Sequence, residues 1–226
     1  MAKVTLIIAV LAVVITVCPG CGGGGGSASI PTSATIRQIA SGNQVVYNVS
    51  GTASSGAQSG PVTGTTTMTA YADTITPIVG NRAFRLVTEL DLTYNGTHYP
   101  VNGTSYIEQD ASGTIYDTGS EGERLASATA APVMYASPIA TGQTHSFTST
   151  YSDLVVEQND YVVLGKEAAA GYESYKVHST WSSGSTTGSG DDWLVPDLGM
   201  PVRMTVTTMD SGIVFSLTAT MVSKNF

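Results

Sequence analysis

Apolar and polar residues alternate with period two along most of this chain, and that pattern excludes most folds. Phe84, Leu86, Thr88, Leu90 and Leu92 share one side, with Arg85, Glu89 and Asp91 on the other. Val202, Met204 and Val206 alternate with Arg203, Thr205 and Thr207, and Ile213, Phe215, Leu217, Ala219 and Met221 alternate with Ser216, Thr218 and Thr220. Tyr175, Val177 and Trp181 stand opposite Lys176, His178 and Thr180. One dry face and one wet face is the signature of antiparallel sheet. The runs predict an all-β single domain of roughly ten to twelve antiparallel strands. The stretch 81–94 would extend about 45 Å if unbroken, which suits an open curved sheet or partial barrel.

Turn chemistry punctuates the runs. Asn95-Gly96, Asn102-Gly103 and Asp210-Ser211-Gly212 predict tight turns, because Asn and Gly accept a left-handed backbone. The Ser/Gly-rich stretches 53–61 and 182–190 are too polar to pack and read as mobile loops. A short helix is expected over 121–130, and 33–40 reads as strand or helix.

The N-terminus carries an address. Lys3 precedes an apolar run from Val4 to Val17, about 14 residues, short of the roughly 20 that span a bilayer as a helix. Gly20-Cys21 follows, then five glycines and Ser27. This resembles a bacterial lipoprotein signal, with residues 1–20 as signal peptide and 21–32 as an acylated flexible tether. The all-β domain then covers 33–226. Cys18 competes for the lipid, but Val17 is a poor residue before a cleavage point, whereas Gly20 is small. Cys21 is therefore the expected lipidation site and the route to the membrane. Gly22 stands after it where an Asp would retain the protein at the inner membrane, so the resemblance implies the outer membrane.

Charge narrows the partners. The formal net charge is −8, and loss of Lys3 with the signal would make the mature chain more acidic. The remaining Lys and Arg are scattered singly, so no nucleic-acid partner is expected. Only 12% of residues are charged, leaving Ser, Thr, Asn and Gly to cover the surface.

Candidate chemistry is thin. Asp117-Thr118-Gly119-Ser120 matches the aspartic-protease tetrad, with a partial copy at Asp210-Ser211-Gly212. Such enzymes share a proton between two carboxylates about 3 Å apart. The spacing of the copies is too short for two lobes, and Asp-Thr/Ser-Gly is ordinary turn chemistry. His98, His145 and His178 are isolated from one another, and no His-x-His pair is present to bind a metal on a sheet. Asp191-Asp192 with Asp153, Glu157 and Asp160 is a weak calcium pattern, read as a solvated turn. No catalytic residue, metal site or cofactor is expected. The tyrosines, Trp181 and Trp193 read as cross-strand packing, with a sugar or lipid groove as the alternative.

The C-terminal half has a further cadence. Tyr161-Val162-Val163-Leu164-Gly165-Lys166-Glu167 precedes Tyr175-Lys176-Val177, and Trp193-Leu194-Val195-Pro196-Asp197-Leu198-Gly199-Met200-Pro201-Val202-Arg203 follows a polar loop. This resembles a group of bacterial exported β-proteins and is similar to lipoproteins with open, LolA-like or DUF3108-like β-barrels. The resemblance implies a structural turn built from Trp193, Pro196 and Gly199, and a curved sheet with one apolar concave face. It transfers no catalytic residue.

The sequence thus predicts a non-catalytic, lipid-anchored outer-membrane protein. It would bind an apolar or amphipathic ligand on the concave face or serve in envelope assembly. The alternative is an adhesion or carbohydrate-binding surface module.

Overall fold

A computed structural model describes residues 33–74, 77–124, 132–150 and 156–226, with backbone alone at 123 and 124. Cys18, Cys21, the signal and the tether lie outside the described residues, as do 125–130 of the expected helix and Asp153. The described residues form fifteen strands and no helix. They are β1 (Ser33–Ala34), β2 (Gln44–Ser55), β3 (Gln58–Ala72), β4 (Arg82–Tyr94) and β5 (Thr97–Gln109). Then come β6 (Ile115–Ser120), β7 (Glu123–Arg124), β8 (Val133–Tyr135), β9 (Ile139–Ala140) and β10 (Thr144–Thr150). The chain ends with β11 (Val156–Ala169), β12 (Tyr172–Ser183), β13 (Thr186–Val195), β14 (Met200–Asp210) and β15 (Ile213–Lys224).

One antiparallel sheet runs in the order β10-β11-β12-β13-β14-β15-β2-β3-β4-β5-β6-β7, with β8 also on β6. It curls into a nearly closed barrel, a single domain. The join between β15 and β2 brings the C-terminal strand beside the first long one, with Ala219 opposite Val49. A separate two-stranded ladder pairs β1 with β9.

The alternation supplies the inward face. Tyr47, Met68, Leu86, Leu90, Ile107, Tyr175 and Leu217 are buried in one continuous core. Curvature needs glycine at inward positions such as Gly51 and Gly64. A Cβ at Gly51 would run into the Ser216 carbonyl, and one at Gly64 into the Asp91 carbonyl. Only a residue without a side chain lets neighbouring strands approach that closely.

One end of the barrel is sealed by the chain between β1 and β2. Ile36 and Ile39 are buried there. Buried Gln109 holds this segment: it accepts from the Ile39 N–H (2.7 Å) and donates to the carbonyls of Arg37 (2.9 Å) and Gly113 (3.1 Å). Arg37 N–H donates to the Pro196 carbonyl at 3.0 Å. Glu108, on the opposite face of β5, is also buried; its carboxylate accepts from the N–H groups of Ile78 (2.6 Å), Val79 (2.9 Å) and Asn81 (2.9 Å). That fixes the connection between β3 and β4.

Five expectations need correction. The polar stretches 53–61 and 182–190 are strand ends and tight turns, not mobile loops. Ladder hydrogen bonds come from the backbone, so Ser and Gly serve there as well as apolar residues. Asn102-Gly103 is no turn; it lies inside β5, with Gly103 opposite Thr88. Residues 121–124 form a turn and β7, and 33–40 is a two-residue strand followed by irregular chain. Asp191-Asp192 is no solvated turn either, because both residues lie within β13.

Candidate functional site

Strands β10, β11 and β12 carry a cleft of about 310 Å³ on the outer side of the wall. It is lined by Thr144, Ser146, Asp160, Val162, His178 and Thr180, with part of Tyr161. The register explains the set. Thr144 pairs with Val162 and Ser146 with Asp160; Val162 pairs with His178 and Asp160 with Thr180. All six therefore share a face, while Tyr161, Val163 and Val177 point to the core. The lining offers three hydroxyls, a carboxylate and an imidazole around one apolar floor residue.

The cleft continues into a charged strip. His178 Nδ1 lies 2.7 Å from Asp191 Oδ1, and Lys176 Nζ is 3.2 Å from the other Asp191 oxygen. Next in register, Lys176 lies 5.0 Å and Arg203 4.7 Å from the ring centroid of Trp193. Trp193 belongs to the outer face, yet only 4% of it is exposed. Its two neighbours on β12 and β14 lay their cationic heads over the ring, an arrangement favourable to both. The Trp193 indole N–H is buried without a hydrogen-bond partner.

Beside it, Pro196 and Gly199 stand in the turn between β13 and β14. Gly199 N–H donates to the carbonyls of Val195 (2.8 Å) and Pro196 (2.9 Å), and its φ of +67° favours glycine. A register shift between Trp193 and Leu194 leaves one extra residue, Val202, on β14 just after the turn.

Inside the barrel lies a second polar group. Asp192 pairs with Val177 and Met204, so it points inward, opposite to Asp191. Tyr135 Oη donates to Asp192 Oδ2 at 2.5 Å. Burial pushes the Asp192 carboxyl up to about 7; the Tyr135 hydrogen bond works against this and the Asp191 charge adds to it. Tyr161 is pushed up to about 12 by burial, its phenol accepting from the Ala136 N–H at 3.3 Å.

The other sequence candidates do not assemble. Asp117 accepts from the Gly119 N–H at 2.8 Å on β6, while Asp210 meets Ser185 and Ser211 at the tip of β14. Five strands of the sheet order separate β6 from β14. His98 meets Asp91, and His145 stacks on Tyr161 at 4.9 Å. The calcium pattern is split, because Asp191 and Asp192 face opposite sides of the wall and Glu157 bonds Asn159. Among the described residues no group of three His, Cys, Asp or Glu side chains could hold a metal ion. Sequence reasoning missed the cleft. Parity placed His178 on the polar face, but only the pairing of β10 with β11 brings Thr144 and Ser146 beside it.

No protein-family model matches the sequence, and no curated protein matches it. Two solved structures are similar. One is a protein described as exported, with a YmcC-like fold, from Bacteroides fragilis: 10% identity, 85% of this chain and 100% of that chain covered, TM-score 0.38. The other is a protein described as a lipoprotein, from Parabacteroides distasonis: 13% identity, 87% and 100% covered, TM-score 0.41. Similarity at this level assigns no property of either protein to the present chain.

Proposed function

We propose that this protein is a non-catalytic lipoprotein of the outer membrane, anchored through Cys21, that binds carbohydrate in the cleft on β10–β12. The observation that carries the reading is the cleft lining: hydroxyls, Asp160 and His178 around Val162. Sugar hydroxyls both donate and accept, and such a lining answers both needs without a strong field. The concave face, where an apolar ligand was expected, is occupied by the protein's own core side chains. The lipoprotein signal supports the address.

The test uses the full chain in detergent micelles, titrated by calorimetry with maltoheptaose, chitohexaose and, separately, a fluorescent fatty acid. Saturable oligosaccharide binding that weakens at least tenfold in Asp160→Ala and His178→Ala supports the reading. Fatty-acid binding without oligosaccharide binding overturns it. For the anchor, palmitate labelling should vanish in Cys21→Ser; labelling that survives there and is lost in Cys18→Ser moves the site to Cys18.

A further inference from the structure

The outer wall beside the cleft holds more hydrogen-bond donors than it has acceptors for. Lys176, Trp193 and Arg203 stand in one row across β12, β13 and β14, because Trp193 pairs with Lys176 on one side and Arg203 on the other. Lys176 Nζ lies 5.0 Å and the Arg203 guanidinium carbon 4.7 Å from the Trp193 ring centroid. Contact with a ring face leaves most of their N–H groups unused.

One carboxylate serves this row. Asp191, on the same face of β13, takes Lys176 at 3.2 Å through one oxygen and His178 at 2.7 Å through the other. Among the described residues Arg203 meets no carboxylate. The Trp193 indole N–H, in the same row, is buried and has no acceptor. Unanswered donors at one place are costly unless something else brings oxygen to them.

We propose that the carbohydrate bound in the cleft is acidic, with a carboxylate that rests on Arg203 and Lys176 beside Trp193. This rests on the cleft reading and extends it along the wall. His178 lines the cleft, and Lys176 lies two residues along the same face of β12. From Val162 on the cleft floor, Arg203 is three strands across, about 14 Å, and two residues along, about 7 Å. That reach suits an oligosaccharide and not a single sugar.

The two parts ask for different chemistry. In the cleft, Asp160, His178 and three hydroxyls exchange hydrogen bonds with neutral sugar hydroxyls. Along the row only donors are left over, and a carboxylate, which accepts and does not donate, complements them. Arg203 offers two parallel N–H groups that match the two oxygens of a carboxylate. The ring holds both cationic heads in place beforehand, which lowers the ordering cost of binding. Asp191 already shares Lys176, so Arg203 carries the larger part. A chain of formal net charge −8 repels acidic ligands elsewhere, which makes this row a local exception.

Calorimetric titration of the full chain in micelles with hyaluronan hexasaccharide, and with the same hexasaccharide methyl-esterified at its carboxyls, isolates the charge. The acid should bind about tenfold tighter than the ester. In Arg203→Gln the acid should weaken to the level of the ester, and the ester should bind as it does to the native protein. Lys176→Gln should weaken the acid less, about threefold, because that cation is partly exposed and already paired. Trp181→Phe leaves Trp193 as the one tryptophan, and in that background the acid should shift the indole emission while the ester should not. Equal affinity for acid and ester, an acid preference kept in Arg203→Gln, or an emission indifferent to bound acid overturns the inference. In each of those cases, binding that still weakens in Asp160→Ala leaves the cleft reading standing. Chitohexaose binding without hyaluronan binding overturns the acidic ligand alone, and binding of no oligosaccharide overturns both. If Arg203→Gln does not fold, the acid-to-ester ratio and the Trp193 emission decide.

Discussion

The two ends of this barrel are built on different principles. At the tip end, hairpins turn at residues 56–57, 95–96, 184–185 and 211–212, and their chemistry is local. Asn95 and Ser211 adopt φ of 48° and 49°, each followed by a glycine of positive φ. Asp210 bonds the neighbouring Ser211 and the adjacent turn's Ser185. At the sealed end, bonds join distant parts of the chain. Gln109 ties 37–39 to 113, Glu108 ties down 78–81, and Arg37 meets Pro196. A local turn can lose one side chain and keep its backbone bonds. A long-range tie that loses its side chain leaves several buried backbone groups unsatisfied.

That contrast sets an order of effects. Gln109→Ala should be the most damaging, by about 4 kcal/mol, since one N–H and two carbonyls lose their partner inside the protein. The readout is the denaturant midpoint of the full chain, and a loss under about 1 kcal/mol would erase the distinction between the ends.

Next comes Trp193→Ala, at about 3 kcal/mol, for a large ring buried beside the turn at Pro196 and Gly199. Thermal unfolding should fall by roughly 6–12 °C, at about 2–4 °C per kcal/mol for a chain of this size. An unchanged midpoint would make the ring a surface feature covered only by mobile Lys176 and Arg203.

Smallest is Asp210→Ala, at no more than about 1 kcal/mol, because Ser211 and Gly212 still make the turn. Asp117→Ala sharpens the comparison. It removes a similarly local bond to the Gly119 N–H. A similar small loss, with no peptidase activity to abolish in either case, is the expected result; pepstatin-sensitive proteolysis that disappears in Asp117→Ala would break it.

The all-β class, the antiparallel pairing and the inward positions of Phe84, Leu86, Leu90 and Leu92 were legible from period two alone, since side-chain direction in a strand follows residue parity. The turns at Asn95-Gly96 and Asp210-Ser211-Gly212 were legible too, because a left-handed backbone demands particular residues. Parity misled nowhere, but turn chemistry did: Asn102-Gly103 has the right residues, and the ladder with Thr88 and Glu89 claimed them instead. Polar composition misled at 53–61 and 182–190, because backbone pairing is indifferent to it.

What tertiary structure alone decided was who meets whom. Sequence places His178 on a wet face and Asp192 two residues from Leu194. Nothing local says that β10 lies beside β11 to complete a cleft, or that Tyr135 crosses a seam to reach a carboxyl 57 positions away. Those meetings depend on how far the sheet curls before its edges face each other. That is set jointly by the twist of a dozen strands and by glycines such as Gly51 and Gly64, whose role appears only when a neighbouring carbonyl occupies the space of the missing Cβ.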